Sequence, residues 1–342
     1  MFTRVLLICA LIAQTAWAQP RQKVTIIFPT RASQTWPLYI AKEGGYYEKY
    51  GFDVELTFGV HPTAIAAITS NQALMSPYTL EQSMQASFRD GSFIMLGQPY
   101  KKSSFALVAA KNIGSVAGLK GKRIAVSQLA DAPYNYAVGL LAKAKLTPRD
   151  VEWIPVGAGA GARGNAVMAG RADATMLTAP EYFKLEQEGY KILGNIADAD
   201  EIHAPSVYLF KKTAVANNDV AERMIKAHAE ATKRFYDDKK FAVDAYVKWD
   251  PSQTRADIER VWDVYSKMGA YERVPYIQAA AVKYVLDHPA DAQSAAAMRA
   301  FDYKQVIDNK LVDKLVKEGY FEKLFGAGIK AEQTAKSKGA FR

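Results

Sequence analysis

Val24-Thr-Ile-Ile-Phe28 and Asp53-Val-Glu-Leu-Thr-Phe58 are two runs rich in β-branched and aromatic residues, and a helical stretch from Pro37 to Glu48 separates them. Such runs favour strands, and Pro37 suits the first turn of a helix. This order predicts a parallel strand pair, because the crossover helix returns the chain to the same end of the sheet. We therefore predict an α/β fold with a mostly parallel sheet.

The same alternation continues to residue 210. Further strands are predicted at Leu74–Ser76, Phe93–Leu96, Phe105–Ala110, Arg123–Val126, Val151–Pro155, Ala174–Leu177, Lys191–Leu193 and Ser206–Phe210. Helices are predicted between them at Pro62–Ser70, Thr79–Phe88, Pro133–Ala144, Ala162–Ala169 and Ala179–Glu188. From Val220 to about Phe325 five or so helical segments follow without a convincing strand. The pattern predicts two α/β units and a helical C-terminal block.

The domain organisation follows from where the chain would cross between the two units. The strands Phe105–Ala110 and Ser206–Phe210 are the natural crossing points. Lobe 1 is then expected to comprise residues 19–107 and 208–325, with lobe 2 inserted as residues 108–207. The last stretch, residues 326–342, is polar and rich in small residues, and we expect it to be loosely ordered.

The first 18 residues have the layout of a secretory signal peptide. Arg4 precedes a short apolar run, Val5 to Ile12, and Ala16-Trp-Ala18 offers small residues at a cleavage site. The run is shorter than the roughly 20 residues that span a bilayer; a membrane anchor or a buried helix is the alternative. We expect cleavage after Ala18 and export to the periplasm. The only cysteine, Cys9, would be removed with this segment.

Composition and motifs argue against several function classes. The 342 residues carry a net charge of +9, but lysine and arginine are spread along the chain. The densest clusters, Lys120–Arg123 and the tail beyond Lys330, have no interleaved aromatics, which favours a solvated surface over a nucleic-acid face. The histidines His61, His203, His228 and His288 lie far apart and match no metal spacing. No catalytic motif stands out, and we expect no enzyme activity, no metal and no cofactor.

One glycine-rich run, Gly157 to Gly164, follows a predicted strand and precedes a helix, as a dinucleotide fingerprint would. Its third glycine falls at the wrong offset for that motif. We interpret it as a cleft loop whose backbone N–H groups are able to bind the anionic end of a ligand.

Several segments resemble the type II periplasmic binding proteins that serve importers for nitrate, alkanesulfonates, taurine and thiamine pyrimidine precursors. They occur in the family's order along the chain: Pro37–Leu56, Val116–Val126, Met168–Ala174 with Pro180, and Ile307–Val312. The resemblance implies a two-lobed, monomeric Venus-flytrap protein that closes around a small organic ligand. It also implies a partner, the membrane permease of an ABC importer.

Two departures from the family pattern leave the ligand open. Leu177 and Thr178 stand where relatives often have a tryptophan. The loop from Ser127 to Pro133 is often rich in glycine and serine in relatives, but here it has one serine and no glycine. Both loops line the cleft in relatives, so the ligand's identity cannot be transferred.

Ligands of open α/β units bind at the carboxyl ends of strands, and five loops leave such ends here. These loops combine aromatic and polar side chains, which suits an organic ligand with a flat or apolar body. The candidate ligand-binding residues are Arg31, Ser33, Gln34, Thr35, Trp36, Ser76, Tyr78, Gln98, Tyr100, Ser127, Asp131, Tyr134, Asn135, Thr178 and Glu181.

Each candidate also has a simpler interpretation. Aromatics at strand ends are often core residues, and serine and threonine in such loops are often helix caps. The ligand's charge also stays open. An anionic head group, with Arg31 as its counter-charge, fits the helix N-termini of lobe 2. If Glu181 and Asp131 point inward, a cationic or amine-bearing ligand fits better.

The sequence thus predicts a periplasmic solute-binding protein that delivers a sulfonate, carboxylate or pyrimidine-like molecule to an importer. An enzyme on the same fold, such as a pyrimidine-precursor synthase, is the main alternative. The predicted signal peptide and cysteine-free mature chain oppose it, because those synthases are cytosolic and carry histidine- and cysteine-rich segments. A regulatory effector-binding domain is the third alternative, and no DNA-binding module precedes Lys23.

Overall fold

The structure is a computed structural model that describes residues 20–29, 33–59, 61–127, 129, 132–156, 159–196, 205–217, 219–287 and 295–342. The predicted signal peptide lies outside these residues, as do the candidate site residues Arg31 and Asp131. Within the described ranges, none of the helices combines the length and apolarity that crossing a membrane requires.

The strands of the described ranges follow the predicted β-branched runs, with ends that shift by a few residues. They are β1 Gln22–Phe28, β2 Phe52–Phe58, β3 Met75–Thr79, β4 Phe93–Met95, β5 Phe105–Ala109, β6 Arg123–Val126, β7 Glu152–Pro155, β8 Ala174–Thr178, β9 Lys191–Asn195 and β10 Ser206–Lys211.

The α-helices fill the segments between the strands and, beyond β10, most of the chain. They are α1 Trp36–Glu43, α2 Tyr46–Lys49, α3 His61–Thr69, α4 Leu80–Arg89, α5 Ala132–Lys143, α6 Ala160–Met168, α7 Glu181–Gln187, α8 Asp219–Asp237, α9 Lys239–Trp249, α10 Arg255–Lys267, α11 Ala279–Asp287, α12 Ala295–Ala300, α13 Lys310–Lys317, α14 Tyr320–Phe325 and α15 Lys330–Lys338.

The strands form two five-stranded sheets of the same design. Sheet 1 has the order β2-β1-β3-β10-β4, and sheet 2 has the order β7-β6-β8-β5-β9. In each sheet the first three strands are parallel, and the fourth is antiparallel to both its neighbours. The predicted two-lobed α/β fold is confirmed, with helices α8 and α9 packed on α1 beside sheet 1.

The chain changes sheets twice. All of β5 pairs within sheet 2, and all of β10 pairs within sheet 1. The chain therefore changes sheets between β4 and β5 and again between β9 and β10, whereas the predicted boundaries at 107/108 and 207/208 fall within β5 and β10. We call the unit around sheet 1, with helices α1–α4 and α8–α15, lobe 1. The unit around sheet 2, with helices α5–α7, is lobe 2.

The structure divides the single helix predicted from Pro37 to Glu48. Helix α1 ends at Glu43, and α2 begins at Tyr46. Between them Gly45 has a φ of 68°, in the left-handed region that glycine adopts without steric cost. The Gly44 amide donates to the Ile40 carbonyl at 2.8 Å and closes the last turn of α1. The glycine pair is therefore a helix end rather than an interruption.

The C-terminal stretch is ordered, contrary to the sequence expectation. Helix α15 occupies part of it, and Ile329 before that helix is buried. The Phe341 amide donates to the Ile277 carbonyl at 2.9 Å, and the Asn309 amide side chain donates to the Phe341 carbonyl at 3.0 Å. The polar composition of the tail hid two anchors: these backbone hydrogen bonds, and a few apolar side chains, of which Ala340 is buried and Phe341 packs against the core.

Candidate ligand-binding cleft

A cavity of about 350 Å³ lies between the two lobes. Lobe 2 provides most of its wall, lobe 1 provides Gln34 and Tyr246, and Ser103 comes from the segment that crosses between the lobes. The lining residues are Gln34, Ser103, Phe105, Pro133, Gly159, Ala160, Gly161, Arg163, Thr178, Ala179, Pro180, Glu181 and Tyr246. A larger groove of about 690 Å³ is lined by lobe 1 alone, so closure of the lobes cannot enclose a ligand there.

The lobe-2 wall collects the carboxyl ends of three parallel strands. Pro133 follows β6, Gly159 follows β7, and Thr178 ends β8. Parallel strands present their carboxyl ends at one edge of a sheet, and this edge is where α/β proteins bind ligands. The predicted placement of the cleft at strand ends therefore agrees with the position of the cavity.

Helix α6 begins at the cavity wall. Its N-cap, Gly159, has a φ of 106° and no capping side chain. The amide groups of a helix's first turn have no acceptor within the helix. The helix dipole adds a partial positive charge at this end. Ala160 and Gly161 both line the cavity, so small residues leave the backbone of this turn accessible to a ligand.

Arg163 places a full positive charge one turn further along α6. The residue is only 4% exposed and still lines the cavity. Its Nε donates to the Met176 carbonyl at 3.1 Å, and one terminal nitrogen donates to the Ser127 hydroxyl at 2.7 Å. These bonds fix the guanidinium beside the helix N-terminus. Together the two features create a local environment that favours anions.

Glu181 brings one carboxylate into the same cavity. Burial raises its pKa above the ordinary value of 4.5, because the charged form loses hydration. The Thr178 hydroxyl donates to Glu181 Oε2 at 3.2 Å, and this bond and the charge of Lys184 oppose the shift. The carboxylate of Asp250 adds to the shift. The cavity thus holds a buried arginine and a half-buried glutamate on the same lobe.

Aromatic rings form the apolar part of the wall. Tyr246, from α9 of lobe 1, packs edge-on against Trp36 with ring centroids 4.8 Å apart. Phe105, at the start of β5, lies against Tyr136 with centroids 5.1 Å apart. Each ring is fixed by its neighbour, so both present a preformed surface to a ligand.

The structure brings together only part of the predicted site. Gln34, Thr178 and Glu181 line the cavity. Ser127 lies behind it, where its hydroxyl accepts a hydrogen bond from Arg163. Tyr134 and Asn135 are half-buried on α5, and Tyr134 packs against Trp153 rather than lining the cavity.

The other predicted residues are buried away from the cavity wall. Trp36 is fully buried, and its indole Nε1 donates to the Ala242 carbonyl at 2.7 Å. Tyr100 stacks on Tyr265 with centroids 6.3 Å apart. The remaining members of this group, also buried, are Ser33, Thr35, Ser76, Tyr78 and Gln98. The C-terminal helices explain the burial of Trp36 and Tyr100, because they cover this end of sheet 1.

Sequence reasoning missed most of the lobe-2 wall and Tyr246. Arg163 lies inside the glycine-rich run, for which the sequence predicts only that backbone N–H groups bind an anion. The signal that could have revealed it is an arginine at the start of a glycine-rich helix. Tyr246 had no such signal, since it belongs to α9, which lies far along the chain from Gln34.

Solved structures with the same fold include three informative ones. The aliphatic sulphonate-binding protein SsuA from Escherichia coli is 18% identical, with a TM-score of 0.64, and the alignment covers 83% of this chain and 94% of SsuA. SsuA from Xanthomonas axonopodis pv. citri, bound to MOPS, is 19% identical, with a TM-score of 0.63 and coverages of 84% and 98%.

The third structure is an enzyme. A cysteine-to-serine mutant of the desulfurization enzyme DszB, in complex with biphenyl-2-sulfinic acid, is 14% identical, with a TM-score of 0.67 and coverages of 87% and 99%. At these identities the likeness concerns the fold. No curated protein sequence matches the chain.

The family model described as NMT1/THI5 like matches residues 32–242, which run from the start of α1 through lobe 2 to α9. This range includes every residue of the cavity wall but Tyr246. The chain therefore belongs to the NMT1/THI5-like family and has the two-lobed fold of the periplasmic binding proteins.

Proposed function

We propose that this protein is the periplasmic solute-binding component of an ABC importer and that it captures a small organic molecule with an anionic end. One observation carries the proposal: the interlobe cavity combines the open N-terminus of α6 with the buried guanidinium of Arg163. Both favour a negative charge at the same wall. The family membership and the fold support the same role.

The cavity also limits the size and shape of the ligand. A volume of about 350 Å³ suits a small molecule rather than a peptide. The rings of Phe105 and Tyr246 favour a flat or apolar body next to the anionic group. An organic sulfonate or carboxylate fits this combination better than a simple inorganic anion.

Glu181 determines what else the ligand carries. A purely anionic molecule would cover this half-buried carboxylate without offering it a donor, at a cost in desolvation. A molecule that bears an amine or another hydrogen-bond donor besides its anionic group would satisfy both Arg163 and Glu181. We therefore place the donor-bearing sulfonates, carboxylates and pyrimidine-like acids first among the candidates.

A thermal-shift screen of the mature protein tests the proposal. Each sulfonate or carboxylate should be paired with its amine-bearing counterpart of equal length. A bound ligand stabilises the folded state by about 2.7 kcal/mol at 100 times its Kd. Stabilisation by one pair, lost in Arg163→Met, would support the assignment. If no anionic compound stabilises the protein while neutral or cationic compounds do, the proposed anion site is wrong.

The proposed location and assembly have direct tests. Mass spectrometry of the protein from its native host should show a mature chain that begins at Gln19, and a chain that begins at Met1 would contradict export. Size-exclusion chromatography with light scattering should show a monomer. A partner permease is expected because the fold's transport members deliver their ligands to one.

An enzyme remains the second candidate, because DszB shows that this fold also hosts catalysis. Among the described residues, the cavity wall contains no histidine and no cysteine, and Glu181 is its only carboxylate. A binding protein should return its ligand unchanged. Overnight incubation with a confirmed ligand, followed by mass spectrometry of the small molecule, should recover the intact compound, and a product would overturn the binding-protein assignment.

A further inference from the structure

Helices α7 and α10 form a direct contact between the two lobes. Helix α7 belongs to lobe 2 and begins at Glu181 in the cavity wall, whereas α10 belongs to the helical block of lobe 1. Their contact has a buried end beside the crossing segment and an exposed end farther out. The two ends differ in chemistry.

The buried end joins both helices to the chain crossing. Ser104, which precedes β5, is fully buried. Its amide donates to the Tyr265 hydroxyl of α10 at 3.3 Å, and its hydroxyl lies 2.8 Å from the Tyr182 hydroxyl of α7. The Asn195 side chain also donates to the Ser104 hydroxyl, at 2.9 Å. This group of buried hydrogen bonds is suited to act as the pivot between the lobes.

The exposed end consists of charged contacts. The Arg260 guanidinium of α10 lies 3.9 Å from the centroid of the Phe183 ring, and it forms an ion pair with Glu186. Lys184 Nζ donates to the Gln253 amide oxygen at 3.4 Å. Arg260 is five residues before Tyr265, which places it roughly 7.5 Å along the helix from the pivot. Because this contact lies away from the pivot, it resists rotation of the lobes about the pivot better than a contact at the pivot would.

We propose that Arg260 is an interlobe latch: its contacts with Phe183 and Glu186 hold the lobes together before the ligand binds and thereby set the apparent affinity. The part that concerns affinity rests on the proposed binding function, whereas the part that concerns closure does not. A ligand binds less tightly when its competent conformation is only partly populated. The latch raises that population without touching the ligand.

The energetic scale is modest because the pair is solvent-exposed. The side chains of Arg260 and Glu186 are 43% and 41% exposed, and ion pairs and cation–π contacts of this kind are weak. Losing both contacts should weaken ligand binding by about two- to tenfold. The effect should be larger in low salt, since exposed charges are screened by ions.

The experiment measures the distance between the lobes in the ligand-free protein. One spin label is placed on each lobe, and the distance between the labels is measured by pulsed electron–electron double resonance. Arg260→Glu should lengthen the distance, because it removes the cation over Phe183 and repels Glu186. The double variant Arg260→Glu with Glu186→Arg should restore the shorter distance. Arg255→Gln is the matched control: Arg255 lies on the same helix, but its ion pair with Asp244 is within lobe 1.

The outcomes show whether or not the contacts of Arg260 hold the two lobes together. A longer distance in Arg260→Glu, with a control that matches wild type, supports the latch. An unchanged distance in Arg260→Glu overturns it, whatever ligand the screen finds. If Arg260→Glu does not fold, Arg260→Gln and wild type compared at low and high salt provide the same comparison. Failure of the ligand screen alone would affect the proposed function and not this distance.

Discussion

The two faces of the cleft are built differently. Lobe 1 meets the cavity with Gln34 and Tyr246, behind which lies a close-packed group of aromatic rings around Trp36. Lobe 2 meets it with strand ends, the first turn of α6, the buried guanidinium of Arg163 and the half-buried carboxyl group of Glu181. Lobe 1 offers one amide and one aromatic ring backed by packed rings, whereas lobe 2 carries the charged side chains and the open helix end.

This difference predicts different consequences for substitutions on the two faces. On lobe 1, a change in the aromatic group removes packing and destabilises the fold. On lobe 2, a change in the wall removes hydrogen-bond donors or charge and alters ligand binding. Two of the titratable groups whose pKa burial shifts, the buried His228 of lobe 1 and the half-buried Glu181 of lobe 2, give pH effects of opposite sign.

The largest expected effect is the loss of stability in Trp36→Ala. The indole is fully buried, packs edge-on against Phe235 with centroids 5.2 Å apart, and donates to the Ala242 carbonyl. Removing such a ring typically costs about 3–5 kcal/mol in the free energy of unfolding. Urea unfolding followed by circular dichroism measures it.

The matched control is Trp153→Ala on lobe 2. Trp153 is half-buried, and its indole donates to the Pro148 carbonyl at 2.9 Å. Its loss should destabilise the protein less than the loss of Trp36. Equal losses at the two positions would contradict the view that the lobe-1 aromatics are a structural support.

The second effect concerns binding. Arg163→Met should weaken the binding of an anionic ligand by about 1.5–3 kcal/mol, the usual contribution of hydrogen bonds to charged groups. Arg163→Lys keeps the positive charge but loses the planar guanidinium with its several fixed donors. It should therefore weaken binding less than Arg163→Met does. Isothermal titration calorimetry measures both, with the thermal midpoint as a check on folding. Unchanged affinity in Arg163→Met would place the anion elsewhere.

The third effect is the acid sensitivity of lobe 1. Burial lowers the pKa of His228 to about 3, whereas its ordinary value is 6.5. Between these values the unfolded chain binds a proton that the folded protein does not, so stability falls as the pH falls below 6.5. The contribution is about 1.4 kcal/mol per pH unit.

His228→Gln should remove this slope while keeping a partner for Tyr47, whose hydroxyl lies 2.8 Å from His228 Nε2. Urea unfolding of wild type and variant at about pH 6.5, 5.5 and 4.5 gives the difference directly. Parallel pH profiles for the two proteins would show that the histidine is not held neutral.

The smallest effect is expected for Glu181→Gln. The pH dependence of stability that Glu181 causes has the opposite sign to that of His228. Burial raises the pKa of Glu181 above 4.5, so the folded protein holds this proton more readily than the unfolded chain does. Wild type therefore loses stability as the pH rises through the window above 4.5. The Gln variant should be more stable near neutral pH, and the gap should close below pH 4.5.

The same variant distinguishes a ligand that donates a hydrogen bond to Glu181 from a purely anionic ligand. For a ligand that donates to Glu181, Glu181→Gln should weaken binding by more than about 1 kcal/mol. For a purely anionic ligand, binding should be unchanged or tighter, because the cavity loses a negative charge. Titration of an amine-bearing ligand and its amine-free counterpart separates the two cases.

Local patterns in the sequence were enough to predict the fold. The β-branched runs and turn residues that define β1 through β10 act within a few neighbours, and the two-lobed α/β fold inferred from their alternation is confirmed. Helix ends were harder. The predicted helix through Gly44 and Gly45 divides, because one glycine adopts a left-handed conformation that composition alone does not reveal.

The site depends on contacts that are remote in sequence. Trp36 follows the end of β1, where the sequence predicts a ligand contact, but α9 returns from 206 residues away and covers it. Tyr246 reaches the cavity through the same packing. The residues found from sequence, such as Thr178 and Glu181, sit on a strand end and the helix that follows, where chain order alone sets their position. The binding role of the predicted residues stays a prediction.

The sheet order has a consequence for how the chain is made. Among the described strands of sheet 1, β4 pairs only with β10, yet the whole of lobe 2 is synthesised between them. At typical translation rates this delay is on the order of ten seconds. Lobe 2, whose strands are contiguous in the chain, is able to complete its sheet first. Lobe 1 is therefore started first and finished last. Until β10 is made, the edges of β3 and β4 that will pair with it stay open and need protection from other strands.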